Sequence, residues 1–564
     1  MNRTSFIANL QDSLINNWDS PALSDFKVES KSFAEVANQI ARLHTYYKEC
    51  KIEKGDKIAL CGRNSSNWVI SYFSILTYGA VAVPILNEFK PESIYNLVNH
   101  SEAKILLVGD VIWEVMDKTM MPDLHAIILI QDFSLVACAD CEYEKAFEKL
   151  EALFLKKYPN GFSKEDVNYE KDSPEELAMI SYTSGTSSMS KGVMISYKAL
   201  NSNLLFATDT MPFMKSGCSI LSILPMAHMY GLSFEIIFPF VAGVHTHSLT
   251  KVPSPLIVAE AFARVKPDLI IAVPLIIEKI YNNKIKPSIE KPLTKLLLKT
   301  PIINHIIKKK ILNSLNQAFG GKFYQIIVGG AAINQEVEAF FKDIGFKYTV
   351  GYGMTECAPI LNYSDWSTFV PGSCGRPVAR MEIRISSKDP QNIVGEIQAK
   401  GDNVTMGYYK NPEATEAAFT SDGWLKTGDL GIIDRDQNLF IKGRSKNMIL
   451  SSNGSNIYPE EIEDILNSNP YIQESIVLEE EGKIVALVYL DQDKLKHYKI
   501  DLTRSLHIMK VIKGVVNKKL PSYSQISYIY IKEEEFEKTP KRSIKRYLYT
   551  TIKDQNIKQP KTKE

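Results

Sequence analysis

The sequence predicts an α/β body followed by a small α+β domain. In the first third of the chain, apolar runs of strand length alternate with helix-length amphipathic segments, the pattern of parallel crossovers. Beyond about residue 444 the pattern restarts as helix, strand, strand and helix, over roughly a hundred residues, enough for an independent unit. The length of 564 residues leaves room for about three to five units.

The elements follow in order. Ser32 and Glu35 stand at capping-box spacing before Val36, Ile40 and Leu43, which share one helical face. Residues 57–61 (KIALC) read as a buried strand, 68–78 as a helix and 80–86 (AVAVPIL) as the next strand. Residues 93–99 read as a helix and 105–108 (ILLV) as a strand. Strands separated this way join by right-handed crossovers. Residues 279–310 read as largely helical, with nine lysines against Glu290 alone. That segment is either a solvated helical face or a basic amphipathic surface for peripheral contact with an anionic bilayer. In the terminal unit, 459–466 and 508–519 read as helices, and 475–478 and 484–490 as strands. The polar end, 554–564, is expected to fray.

Composition excludes several classes. Hydrophobic residues are 45% and charged residues 23%, and 66 Lys plus Arg balance 65 Asp plus Glu for a net charge of +1. A nucleic-acid binder with a broad basic surplus does not fit, and neither does a disordered chain. Residues 1–10 carry one arginine and no apolar core, so no secretory leader is expected. No uncharged apolar run reaches about 18 residues, so no spanning helix is expected either. A cytoplasmic setting follows. Seven cysteines suit reduced thiols, and Cys138 and Cys141 form a CxxC in a loop-like stretch without a second pair.

Three segments carry chemistry. An apolar run ending at Ile180 leads into residues 182–193, YTSGTSSMSKGV. Such a loop can wrap phosphates with backbone N–H groups, hydroxyls and an ammonium. It is not a Walker A loop, because Ser190 stands where that motif needs glycine before its lysine. By composition alone it is a plain Ser/Thr turn. Residues 328–332 (VGGAA) and 351–356 (GYGMTE) are glycine turns after apolar runs, suited to close backbone approach. Tyr352 offers a stacking face, and Glu356 is a hard oxygen ligand for Mg²⁺. Residues 423–444 (GWLKTGDLGIIDRDQNLFIKGR) place Asp429 in a tight Gly–Asp turn. There it can bind a ribose diol or serve as an ordinary turn aspartate.

In this order, these segments resemble the adenylate-forming superfamily of acyl-CoA synthetases, adenylation domains and luciferases. The resemblance runs from about Phe33 to Leu548. Residues 318–322 (AFGGK), 328–334 (VGGAAIN) and 349–359 (TVGYGMTECAP) look most like long-chain fatty acid–CoA ligases. The resemblance implies an adenylate-forming fold with a large domain over 1–443 and a mobile small domain over 444–564, hinged near Lys446. It implies that Thr183, Ser184, Gly185, Thr186 and Lys191 lie along the triphosphate of ATP. Gly330, Ala331 and Ala332 would flank adenine with Tyr352 stacked on it, and Gly353 and Met354 would complete that turn. Thr355 would touch the α-phosphate, Glu356 and Thr186 would hold Mg²⁺, and Asp429 and Arg444 would bind the ribose. His228, in LPMAHMYG, would stand where the acyl carboxylate enters; apart from the motif it is a core histidine capping a helix. Gly454 would line the coenzyme A tunnel. His245 and His247, two apart on a strand-like run, read as structural.

Two departures stand out. Ser188 and Ser190 occupy places where the family commonly has glycine and proline. Near the end, residues 539–546 read TPKRSIKR, which puts Ser543 where the family carries its catalytic lysine. Lys541 and Lys545 flank it, about 7 Å away along an extended chain, roughly a lysine's reach. The expected activity is ATP-dependent formation of acyl-AMP from a medium- to long-chain fatty acid, then transfer to coenzyme A. Two alternatives stay open: an acyl-AMP ligase that loads a carrier protein, and an acyl or nucleotide binder that has lost catalysis.

Overall fold

The computed structural model describes residues 3–139, 141–183, 190–251, 254–289, 291–297, 300–450, 456–539, 543–552 and 557–558. An eight-stranded sheet forms the centre of the large body. Its spatial order is Gly407–Tyr408, Lys191–Ser196, Leu177–Thr183, Val81–Ile85, Lys57–Cys61, Ala103–Val108, Ala126–Leu129 and Leu135–Cys138. The strands from Leu177–Thr183 to Ala126–Leu129 run parallel. Both margins are antiparallel, so the sheet is mixed.

The central strands Val81–Ile85, Lys57–Cys61 and Ala103–Val108 are apolar apart from Lys57 and Lys104, because both faces are covered. Ile58 and Leu60 enter one hydrophobic cluster while Ala59 and Cys61 enter another, as the period-two alternation of a strand requires. The flanking helices begin where their caps predict. Ser32 and Glu35 form the reciprocal box that starts Phe33–Glu49. The Ser65 side chain caps Ser66–Tyr78, which ends on Gly79 at a left-handed φ of 86°.

Four further sheets complete the body, one of them the short antiparallel set Tyr352–Gly353, Ile360–Tyr363 and Arg376–Pro377. Ile270–Ala272, Ile326–Val328 and Tyr348–Val350 are parallel. Met381–Ser386, Gly395–Gly401, Leu425–Ile433 and Leu439–Arg444 form an antiparallel meander. In the fourth, His245 accompanies Ser24 across neighbouring strands, with Nε2 and the Ser24 hydroxyl 2.7 Å apart. The lysine-rich segment is a series of helices, Pro274–Ile280, Tyr281–Ile285, Lys286–Ile289, Pro292–Leu297 and Pro301–Ala318. Pro292 and Pro301 each open a helix, since proline lacks the N–H that an interior position needs. Among the described residues, no helix is long and apolar enough to cross a membrane.

The C-terminal region has its own sheet, with Ile472–Glu480, Lys483–Leu490, Tyr528–Lys532 and Ile557–Lys558 in that order. Helices Pro459–Asn467 and Leu502–Asn517 supply Ile462, Leu466, Met509 and Ile512 to a hydrophobic cluster separate from that of the large body. One local reading changes. Cys138 closes a strand and Cys141 opens the helix Cys141–Lys157, so neither lies in a loop. The contacts of that helix with the strand Leu135–Cys138 override the turn-like composition.

Candidate active site

The hydroxyl-rich segment joins two antiparallel strands. Thr183 is the register partner of Lys191, and its hydroxyl lies 3.5 Å from the Lys191 carbonyl oxygen. Thr183 ends one strand and Lys191 opens the next. Ser184, Gly185, Thr186 and Ser188 lie outside the described residues. Gly192 follows the lysine because a Cβ there would come within 3.1 Å of the Tyr182 ring.

Glu356 sits in the single helical turn Thr355–Cys357. Gly353, just before it, is required by packing: a Cβ would lie 2.1 Å from the Pro359 carbonyl oxygen. Thr355 is buried, and Met354 donates its N–H to Pro359 O at 2.9 Å. The Tyr408 hydroxyl donates to Glu356 Oε1 at 3.0 Å, and Thr405 N–H donates to the Glu356 carbonyl at 2.8 Å. Lys191 Nζ lies 4.8 Å from the centroid of the same Tyr408 ring. Lys191 and Glu356 are thus gathered on one tyrosine that sequence reasoning missed. The available signal was the glycine-aromatic run 407–409, but nothing local tied it to either partner.

The donor set can be tested against Mg²⁺. Among the described residues no group of three His, Cys, Asp or Glu side chains converges. Glu356 offers one carboxylate, half-buried, with one oxygen already held by Tyr408. That arrangement fits Mg²⁺, which keeps waters and takes its remaining ligands from nucleotide phosphates instead of an all-protein cage.

The nucleoside side is built at the ends of the three parallel strands. Gly329 leaves Ile326–Val328 where a Cβ would stand 2.8 Å from Tyr230 Cζ, and the Tyr230 hydroxyl donates to Ile327 O at 3.0 Å. Gly330 turns the chain at φ 86°, and Gly330, Ala331 and Ala332 form an exposed shelf. Tyr352 is buried, and its hydroxyl donates to Asp429 Oδ2 at 2.6 Å. Arg444 Nε lies 2.7 Å from Asp429 Oδ1. Burial pushes the Asp429 carboxyl up from its ordinary range, against the opposing pull of Arg444 and Tyr352. Asp429 is not in a tight turn. It lies inside the strand Leu425–Ile433, where Gly428 at φ 72° interrupts the register with Gly395–Gly401. This is a bulge, which re-aims a side chain at the margin of a site.

His228 caps the short helix Met229–Gly231, its Nδ1 accepting from Tyr230 N–H at 3.2 Å. An accepting Nδ1 puts the proton of the neutral ring on Nε2. Two residues outside the sequence reading hold this loop. Asn64 accepts from Met226 N–H at 3.0 Å and donates to Leu224 O at 2.7 Å. Glu235, wholly buried in the π-helix Leu232–Ile237, accepts from the Ser222 hydroxyl at 3.0 Å and from Ile223 and Leu224 N–H at 3.1 Å each. Burial pushes its carboxyl up to about 8, although these donors pull the other way.

Lys446 is exposed in the turn Ser445–Asn447 that follows Arg444. Lys442 pairs with Glu461 at 3.2 Å, joining this strand to the helix Pro459–Asn467. Gly454 and Lys541 lie outside the described residues. Flanking Lys541, Thr539 N–H donates to Ser543 O at 2.8 Å. Lys545 Nζ is 3.3 Å from Glu537 Oε2, and Arg546 pairs with the buried Glu463.

Residues 11–409 match the family model described as AMP-binding enzyme, and residues 446–559 match the AMP-binding enzyme C-terminal domain. The chain belongs to the AMP-binding enzyme family. Long-chain-fatty-acid–CoA ligase 5 of Rattus norvegicus is 29% identical over 480 residues, 77% of this chain and 68% of the relative. A crystal structure of the anthranilate CoA ligase AuaEII in complex with anthranoyl-AMP superposes with a TM-score of 0.78 at 18% identity, covering 97% of both chains. The o-succinylbenzoate coenzyme A synthetase MenE of Bacillus subtilis, in complex with ATP and magnesium ion, superposes with a TM-score of 0.71 at 20% identity over 96% of this chain and 98% of that one. The reaction class is that of an AMP-forming acid–CoA ligase.

Proposed function

We propose that this chain activates a medium- to long-chain fatty acid to its acyl-AMP and transfers the acyl group to coenzyme A. The observation that carries the site assignment is the placement of Lys191 and Glu356 on one Tyr408 side chain. The resemblance of residues 318–322, 328–334 and 349–359 to long-chain fatty acid–CoA ligases, and the rat relative of that name, favour a fatty acid. The anthranilate and o-succinylbenzoate ligases among the structural neighbours make aryl acids the competing substrates.

A carboxylate is a poor acyl donor because its leaving group would be oxide. Its oxygen attacks the α-phosphorus of ATP, the bond to pyrophosphate breaks, and a mixed anhydride forms. Negative charges meet in that step, so catalysis is mainly positioning and charge neutralisation. Lys191, with Thr183, Ser184, Gly185 and Thr186, lies along the triphosphate. Glu356 and Thr186 would hold Mg²⁺, which would supply charge neutralisation to the phosphates. Thr355 meets the α-phosphate. Gly330, Ala331 and Ala332, with Tyr352, Gly353 and Met354, receive the adenine, while Asp429 and Arg444 take the ribose hydroxyls. His228 stands at the entry of the acyl carboxylate. The thiol then attacks the acyl carbon and AMP leaves. No side-chain nucleophile is needed.

We divide the chain at 443/444. The small domain, residues 444–564, turns about Lys446, bringing Lys541 to the site for the first step and Gly454 for the second. Hinges of this kind are a few residues at element ends.

The deciding experiment is acid-dependent pyrophosphate and AMP release with coenzyme A across free fatty acids of several lengths, anthranilate and o-succinylbenzoate. Preference for an aryl acid overturns the fatty-acid reading. Adenylate formation without thioester on coenzyme A turns the reading toward a carrier protein. Glu356→Gln lowers pyrophosphate release about 10²–10³-fold; an unchanged rate overturns the site assignment.

A further inference from the structure

We infer that Tyr408 is a positioning residue that keeps Lys191 and Glu356 apart and aims each at the nucleotide. This rests on the assignment of those two residues to triphosphate and metal. The two side chains carry opposite charge and meet the same tyrosine, yet they form no ion pair with each other. Lys191 Nζ stands over the ring at 4.8 Å from its centroid, and Glu356 Oε1 accepts from the hydroxyl at 3.0 Å. Neither forms an ion pair with any other described residue.

The tyrosine is itself held on the two walls it separates. Gly407 and Tyr408 pair with Met194 and Val193 of the strand that Lys191 opens. Thr405 donates its N–H to the Glu356 carbonyl at 2.8 Å and its hydroxyl to Met194 O at 2.7 Å. Tyr408 N–H donates to the Thr415 hydroxyl at 2.9 Å. Gly407 sits at φ 119°, and a Cβ there would meet Thr415 Cγ2 at 2.5 Å, so the backbone permits only glycine before the ring.

The chemistry divides between the two ends of the side chain. The ring face attracts an ammonium without neutralising it, so the lysine stays available to phosphate. The hydroxyl occupies one carboxylate oxygen and fixes the carboxylate plane, which leaves the other oxygen to a cation. Outer-shell hydrogen bonds of this kind orient metal-binding carboxylates. Without the ring, the lysine and the carboxylate would fall together as an ion pair and cancel both functions.

The test separates the two ends by calorimetric titration of the full chain with α,β-methylene-ATP, once in EDTA and once over a series of Mg²⁺ concentrations. Tyr408→Phe keeps the ring and loses the hydroxyl. It is expected to bind the analogue in EDTA as the wild type does, while needing about 10–100-fold more Mg²⁺ to reach the metal-dependent affinity. Tyr408→Leu loses both ends and is expected to bind about 3–10-fold more weakly in EDTA as well. Adding Glu356→Gln to Tyr408→Leu restores binding in EDTA, because the lysine then has no carboxylate to pair with; a purely structural role for the ring gives no such rescue. Wild-type Mg²⁺ dependence in Tyr408→Phe, or absence of rescue in the double variant, overturns the inference. If Lys191→Ala and Glu356→Gln alone leave binding unchanged in both buffers, it is the underlying site assignment that fails.

Discussion

The Tyr352 hydroxyl donates to Asp429 Oδ2 at 2.6 Å, joining the glycine turn after Tyr348–Val350 to a bulged strand 77 positions further along the chain. Asp429 is almost wholly buried, so its charge depends on this bond and on Arg444 at 2.7 Å. Loss of a hydrogen bond to a charged, buried acceptor costs about 1.5–3 kcal/mol. Tyr352→Phe is therefore expected to lower thermal stability and weaken AMP binding several-fold. Asp429→Asn should weaken AMP binding about tenfold or more, since a hydrogen bond to the ribose loses its charge. Calorimetry with AMP reads both, and wild-type affinity in both variants removes Asp429 from the ribose site.

Glu235 makes a pH prediction. Its carboxyl is raised from 4.5 to about 8 by burial. A raised folded pKa means the native state holds the proton more tightly than the unfolded chain. The stabilisation is complete below the unfolded value and is lost as pH rises toward the folded one. Unfolding free energy from urea titrations is expected to fall by on the order of 2 kcal/mol between about pH 5.5 and 7.5. Glu235→Gln still accepts the Ile223 and Leu224 N–H bonds and should flatten that slope. An equally steep slope in the variant would assign the pH dependence to another group.

The terminal lysines separate by half-reaction. Lys541→Ala is expected to lower fatty-acid-dependent pyrophosphate release about 10²-fold, for want of charge neutralisation between carboxylate and α-phosphate. It should spare thioester formation from supplied acyl-AMP, which uses the other domain orientation. Lys545→Ala should change neither, because Lys545 is paired with Glu537. A defect in Lys545→Ala alone reverses the assignment. If both are silent while Ser543→Lys accelerates adenylation, the enzyme works without a lysine there.

The helix Pro301–Ala318 bears on membrane contact. Ile303 and Ile306 are 36% and 61% exposed, and Lys309 and Lys310 are exposed beside them, while Lys308 is paired with Asp343 at 2.6 Å. This face combines apolar and cationic groups, as an anionic lipid surface requires. Co-sedimentation with anionic vesicles at low salt is the expected result, weakened by added salt and by Ile306→Glu with Lys310→Glu. Absent binding, or binding indifferent to salt, leaves the face merely solvated.

Much of the fold was legible because its causes are local. The Ser32–Glu35 box, the buried KIALC strand and the paired strands of the terminal unit depend on neighbours within a few positions or on a repeating pattern. The site residues were legible only as a set of motifs whose order matches a family. Composition alone left the hydroxyl-rich segment a plain turn.

The sequence by itself determined which residue types the chain offers to phosphate, metal and ribose, and broadly which stretches form helices and strands, because side-chain chemistry and short-range periodicity are written in adjacent positions. The tertiary structure decided what those residues meet. Tyr408 reaches Glu356 across 52 positions. Glu235 becomes the buried acceptor that holds the His228 loop. Asp429 is aimed by a bulge, not by a turn. These pairings arise when sheet edges and helix faces close on one another, and a hydrogen bond between distant segments leaves no periodic trace in the chain that forms it.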